Sequence, residues 1–199
     1  MLSDPNSPLE KKEKYLNVIS SEITRMNTLV TNFLTISRPP ELNLIRIDLH
    51  KILDEVLLIQ KAQAMKENVR VSRQYTGEPV YGMVDMDQLK QVFHNILINS
   101  FEAMPDGGTV KISTEVQCEK QKSGAEEKRF VYIRIADTGH GIPEEKLNDI
   151  FEFYYTTKKT GTGLGLSIAK QIIEGHQGTI HIYSTINKGT TVELKLPLD

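Results

Sequence analysis

A single cysteine, Cys118, stands in the 199-residue chain, so neither an intramolecular disulfide nor a cysteine-rich zinc site can be built from it. That usage fits a reducing compartment. Neither sign of charge predominates, with 24 Lys and Arg against 26 Asp and Glu. A broad basic surface that tracks phosphates is thereby excluded, and nucleic acid is not an expected partner. No apolar run approaches the roughly 18 residues of a membrane span, and the N-terminus lacks the basic-then-apolar layout of a secretion signal. No G-x-x-x-x-G-K-[ST] loop occurs, which excludes a P-loop protein. What is present, 39% hydrophobic and 25% charged residues, supports a packed core and is too apolar for disorder. The expectation is a soluble, cytosolic protein of one domain with a smaller appendage.

The appendage comes first. Ser7 and Glu10 have capping-box spacing around Pro8, which predicts a helix start. That helix runs to Arg38, where Pro39 and Pro40 stop it. Leu16, Ile19, Ile23, Met26, Val30 and Phe33 alternate spacings of 3 and 4, a heptad seam suited to a bundle partner. Leu29 and Leu34 widen the stripe enough for more than one neighbour. Residues 39–45 read as a stiff hinge. The chain thus divides into 1–45, one long bundle-type helix and hinge, and 46–199, a folded domain.

From Arg46 short strands and helices alternate. Strands are expected near 44–48, 69–75, 80–84, 109–116 and 130–136, and a final hairpin is punctuated by Gly178 and Gly189. Helices are expected at about 50–67, from Asp85 to Met104, and at 164–176. Residues Glu119 to Arg129 read as a solvated hairpin loop. Hairpins with helices between them indicate an α+β layered fold, not a doubly wound parallel sheet.

Four local patterns follow in order. Asn95 and Asn99 are four apart on one helix, so both carboxamides share a face, and an amide oxygen is a suitable hard ligand for Mg²⁺. Asp137-Thr-Gly-His-Gly141 follows a predicted strand. Its carboxylate can accept from an exocyclic amine, and its glycines let backbone approach a flat base. Phe151-Glu-Phe-Tyr-Tyr-Thr-Thr-Lys158 precedes Gly161-Thr-Gly-Leu-Gly-Leu166, three alternate glycines before a helix. Backbone N–H groups and a positive helix terminus make such a stretch a seat for polyphosphate, with Lys158 and Lys159 near a terminal phosphate.

These blocks resemble the N, G1, F and G2 boxes of the sensor histidine kinases, within the GHKL ATP-binding superfamily. The likeness runs from about residue 46 to the C-terminus. The helix before it resembles the second helix of that family's dimerisation and phosphotransfer hairpin, and the sporulation-type kinases of Bacillus relatives are the group it most resembles. The likeness implies a GHKL (Bergerat) α/β sandwich, a mixed sheet against three helices, with ATP bound beneath a lid from about Pro143 to Gly163. Carried over, Asn99 ligates Mg²⁺ and Asn95 sits near the phosphates, beside Ala103. Asp137 reads the adenine amino group, with Gly139, Gly141 and Ile142 alongside and Thr191 as a water-mediated helper. Gly161, Gly163, Leu164 and Gly165 cradle the phosphates, and Thr157, Lys158, Thr162 and Leu166 complete the nucleotide-binding set, Lys158 being counted with Asn95 and Asn99 as catalytic. Phe153 stands where the F box often has proline, and implies altered lid packing.

The resemblance also separates kinase from hydrolase. Hydrolytic relatives carry a glutamate at the position of Asn95, and an amide cannot act as a base at neutral pH. Glu102, three residues past Asn99, reads as a surface or supporting group. Phosphoryl transfer is therefore favoured over a GHKL-type ATPase. A non-enzymatic nucleotide-binding regulatory module stands as a further alternative, and the heptad helix before Pro39 argues against an anti-sigma-type serine kinase, which shares the boxes. The family's acceptor histidine is followed by an acidic residue, whereas His50, His94, His140, His176 and His181 are followed by Lys, Asn, Gly, Gln and Ile. The expectation is a chain that lacks the acceptor helix, binds Mg-ATP and does not label itself. The resemblance further implies a response regulator as partner, homodimerisation through the helical hairpin, and a hairpin and hinge open to a proteinaceous inhibitor. The location expected is the cytoplasm, either free or as the cytoplasmic portion of a membrane-anchored kinase.

Overall fold

In the computed structural model, residues 15–16, 19–20, 23, 26, 41–120, 127–158 and 161–198 are described. They fall into two units, Met1–Pro40 and Glu41–Asp199. In the first, Leu16, Ile19, Ile23 and Met26 are helical and exposed. The expected Ser7–Pro8–Glu10 cap, the seam residues Leu29, Val30, Phe33 and Leu34, and Pro39-Pro40 lie outside the described residues. Among the described residues no helix is long and apolar enough to cross a membrane.

The second unit opens with β1 (Ile45–Asp48) and α1 (Leu49–Lys66). Then come β2 (Val69–Gln74), β3 (Tyr81–Val84) and α2 (Met86–Glu102). The long strands β4 (Gly108–Lys120) and β5 (Glu127–Asp137) follow, and α3 (Gly165–Gly175), β6 (Thr179–Thr185) and β7 (Gly189–Pro197) complete it. Five strands form one sheet in the order β2-β4-β5-β7-β6. The β2–β4 pair is parallel and the remaining pairs are antiparallel, so the sheet is mixed. Three helices pack on one of its faces. Period-two alternation sorts the residues: Val131, Ile133 and Ile135 of β5 and Val192, Leu194 and Leu196 of β7 are buried. They meet Ile52, Leu53 and Val56 of α1, Leu89, Phe93 and Ile96 of α2, and Ile168 and Ile172 of α3, all buried. The α+β layered sandwich read from the sequence is the observed fold.

Two expectations are corrected. Strands β2 and β3 are neighbours in sequence but not in the sheet, because β3 pairs antiparallel with β1 in a separate two-stranded ladder. The connection is held away from a hairpin by Asp48, whose carboxylate accepts from Val80 N at 3.1 Å, while Leu49 N donates to Val80 O at 2.8 Å. Second, the β4–β5 hairpin is longer than expected, since Gln117↔Phe130 through Lys120↔Glu127 are still paired. Cross-strand complementarity continues the ladder where hydrophobic alternation stops: Glu119 lies opposite Lys128, and Lys195 Nζ donates to Glu119 at 2.6 Å.

Helix α2, which carries both asparagines, is set by its ends. Asp85 caps it, accepting from Asp87 N and Gln88 N at 3.1 Å each, as an N-cap carboxylate does. The Asp85 N–H donates to Nε2 of buried His176 at 2.9 Å, and His176 Nδ1 lies 2.8 Å from Ile172 O. Because Nε2 accepts, Nδ1 carries the proton, and one neutral tautomer satisfies both partners. His176 therefore ties the start of α2 to the end of α3.

His50, at the start of α1, bonds Thr114 Oγ1 through Nε2 at 2.9 Å and stacks on Tyr75 with 4.5 Å between ring centroids. Burial pushes its imidazole below the ordinary histidine range, against the pull of Asp48 and Asp54. The unfolded chain therefore takes up this proton first as pH falls below about 6.5. The urea midpoint should drop between pH 7.5 and pH 5.5, with a shallower drop in His50→Gln; equal slopes in the two proteins would remove His50 as the cause.

Candidate functional site

The site is built at the end of the sheet where β5 stops and α2 runs out. Asp137, the last residue of β5, lies on the inner, helix-facing side with Val131, Ile133 and Ile135 and is itself buried. Its Oδ1 accepts from Gly139 N at 2.9 Å and from Thr190 N at 3.1 Å. Among the described residues Oδ2 has no donor, so one carboxylate oxygen is spent on shaping the loop and the other is left to accept from a ligand.

The loop after Asp137 is strapped on both sides. His140 N donates to Ala103 O at 3.1 Å, fixing it to the residue that ends α2. Asn187 N donates to His140 O at 2.8 Å, and Ile142 N donates to Ser184 Oγ at 2.8 Å, fixing it to the β6–β7 hairpin. Gly141 makes this double contact possible. Its φ is +72°, and a Cβ there would stand 2.1 Å from Thr185 O.

Helix α2 presents Asn95, Asn99 and Glu102 on one stripe, at spacings of 4 and 3 residues. Asn95 Nδ2 donates to the carbonyl of Gly165, the first residue of α3, at 3.1 Å. Its amide thus joins the asparagine helix to the glycine-rich turn. Asn99 Oδ1 accepts from Lys158 Nζ at 2.7 Å, and the same ammonium pairs with the Glu102 carboxylate.

In the lid, a short 3₁₀ turn spans Glu144–Lys146. Phe153 and Tyr154 are exposed at 45% and 64%, and Tyr154 has φ +67°. Gly163, at φ +69°, backs onto it so closely that a Cβ would lie 2.4 Å from the Tyr154 carbonyl carbon. Thr157 and Gly161 are exposed, Thr162 and Leu166 are half-buried, and Leu164 is buried beneath the start of α3. Lys159 lies outside the described residues.

Thr191 does not reach this site. In β7 the inner face carries Thr190, Val192 and Leu194, and Thr191 falls on the opposite face with Glu193 and Lys195. The threonine beside Asp137 is Thr190, whose side chain meets Ser184 Oγ at 2.9 Å. Ser184, Thr190 and Glu102 are the site residues that sequence reasoning missed or set aside. The Ser184–Thr190 pairing is visible only once the hairpin register is known.

Residues 84–199 match the family described as histidine kinase-, DNA gyrase B-, and HSP90-like ATPase, and the chain belongs to that family. Sporulation kinase A of Bacillus subtilis is 36% identical over 191 residues, 95% of this chain and 30% of the relative. The Escherichia coli signal transduction histidine-protein kinase AtoS is 32% identical over 187 residues, 94% of this chain and 29% of that protein. The nucleotide-free catalytic domain of histidine kinase ThkA superposes with a TM-score of 0.65 at 29% identity, covering 78% of this chain and 95% of that one. ThkA solved in complex with the response regulator TrrA gives a TM-score of 0.72 at 27% identity, covering 99% of this chain and 53% of that one. The Glu41–Asp199 unit is therefore an ATP-binding domain of the histidine kinase catalytic type. The chain spans only 24–42% of the length of the four sporulation kinases A, E, D and C.

The residues present fit the groups that this family implies. Asp137 Oδ2 is an acceptor suited to the adenine amino group. Asn99 Oδ1 already holds a cation, the ammonium of Lys158, so it is placed to take a divalent ion.

Proposed function

We propose that this chain binds Mg-ATP and passes the γ-phosphoryl group to a histidine on a hairpin helix that is not among its own residues, in a two-component or phosphorelay pathway of the sporulation-kinase type. The observation that carries this reading is the joining of two ends. A carboxylate with one oxygen to spare closes β5, a cation-holding amide oxygen closes α2, and the Ala103–His140 bond fastens the two together.

Asp137 orients the base. The Gly161–Leu166 turn and the start of α3 offer N–H groups to the phosphates, and Lys158 supplies positive charge at the terminal one. Bound at Asn99, Mg²⁺ would neutralise phosphate charge. The chain's contribution is positioning and electrostatics. The P–O bond to ADP breaks as an N–P bond forms to the acceptor imidazole, ADP departs with the bonding electrons, and the ring proton passes to solvent. Hydrolysis lacks a base at the N-box position, because Asn95 cannot take a proton and its amide is committed to Gly165.

The partners follow as part of the same proposal. A response regulator receives the phosphoryl group, and its support is the ThkA–TrrA pairing. The 1–45 segment dimerises in the whole kinase and offers the surface for a proteinaceous inhibitor, and the domain works in the cytoplasm.

With γ-labelled ATP the chain should acquire no acid-labile, base-stable label by itself, and should label a separately supplied folded hairpin that carries the acceptor histidine. Self-labelling, or no transfer to a folded hairpin, would count against this reading.

A further inference from the structure

Lys158 and a divalent cation cannot share Asn99. The Asn99 amide oxygen lies 2.7 Å from the Lys158 ammonium, and a dication on that oxygen would stand against a full positive charge at contact distance. Lys158 is held there from two sides. Glu102, one helical turn beyond Asn99, pairs with the same ammonium. The α2 terminus has no basic residue in its own last turn, so the charge that offsets Glu102 and the helix C-terminus comes from the lid. The lid is folded to deliver it, since Lys158 N donates to Thr156 Oγ1 at 3.1 Å and Gly161 N to Lys158 O at 3.3 Å. The side chains of Lys158 and Glu102 remain 38% and 50% exposed. A pair that exposed is weak and easily exchanged.

We propose that Glu102 is a positioning residue that parks the lid lysine on the metal-binding oxygen of the nucleotide-free domain, so that Lys158 and the divalent cation exclude one another at Asn99. Release of Lys158 from Asn99 and Glu102 is then the step that frees the lysine for the terminal phosphate, and lid movement is coupled to metal loading. The inference rests on the reading of Asn99 as the metal ligand.

Two measurements on the full chain test it. Acylation of Lys158 without nucleotide, followed residue by residue by mass spectrometry, should be about threefold to fivefold faster in Glu102→Gln than in the wild type. Glu102→Asp, which keeps the charge, should restore much of the protection, and other lysines should be unaffected. Second, the gain in ADP affinity on adding Mg²⁺, taken as the ratio of Kd without to with the metal, should rise by about the same factor in Lys158→Met. ADP is chosen because it lacks the terminal phosphate that Lys158 would otherwise contact. Unchanged acylation in Glu102→Gln, or an unchanged Mg²⁺-linked gain in Lys158→Met, overturns the proposal. Asn99→Ala separates the two levels. If it abolishes the Mg²⁺-linked gain while Glu102→Gln leaves Lys158 as protected as before, the parking role alone fails. If it keeps the gain, the metal assignment of Asn99 fails and the proposal fails with it.

Discussion

Asp137→Asn should bind ATP about 10²-fold more weakly than the wild type while keeping its fold. The separation of effects comes from the unequal duties of the two carboxylate oxygens. An asparagine can still accept from Gly139 and Thr190 through Oδ1, the two bonds that shape the loop. In place of Oδ2 it offers an N–H to the adenine amino group, setting donor against donor. Discrimination between adenine and guanine nucleotides should collapse with the affinity, because a carbonyl at that ring position now meets a donor. Asp137→Ala should add a folding defect, since the N–H groups of Gly139 and Thr190 lose their acceptor. Calorimetric titration with ATP and GTP, beside urea unfolding of both variants, tests this. ATP binding by Asp137→Asn within about threefold of the wild type would remove Asp137 as the base reader.

Gly141→Ala is expected to be among the most damaging single methyl groups that the site can receive. The added Cβ would fall 2.1 Å from Thr185 O and 2.7 Å from its carbonyl carbon, at a φ of +72°. Neither contact involves a side chain that can swing aside, so the loop and the β6–β7 hairpin must separate. That costs the His140–Asn187 and Ile142–Ser184 hydrogen bonds as well as the left-handed backbone penalty. A loss of about 3–5 kcal/mol is expected, with ATP binding impaired even in the fraction that folds. Denaturant unfolding that shows a loss below about 1 kcal/mol would mean that the hairpin yields more readily than the geometry indicates.

What could be read from the sequence was what is encoded locally. The start of α2 at Asp85 and the Asn95–Asn99 spacing are both set within a few turns of chain, and each stands where expected. The glycine-rich turn before α3 was legible for the same reason. Register is a different kind of quantity. Whether Thr190 or Thr191 faces Asp137 depends on how β7 slides against β5, and a one-residue offset moves a side chain to the other face. Two adjacent threonines give no pattern to choose by. The polar extension of the β4–β5 hairpin was missed because its pairing rests on opposite charges, which in one dimension resemble a loop. Glu102 looked like an ordinary surface carboxylate because its partner lies 56 residues further on, in the lid.

The bond from Asp85 N to His176 spans 91 residues, and it bears on how the domain is made. The chain emerges from the ribosome N-terminus first, so α2 and its two asparagines are synthesised long before the imidazole that completes their anchorage. Asp137 in turn waits 53 residues for Thr190, which is made later still. A nascent or prematurely terminated chain that stops before His176 therefore holds every residue of the N-box but has neither the anchor of the helix nor the second strap of the base loop. Nucleotide binding is acquired late and nearly at once, when the final strand pairs, and half-made copies should neither sequester ATP nor present a working catalytic face.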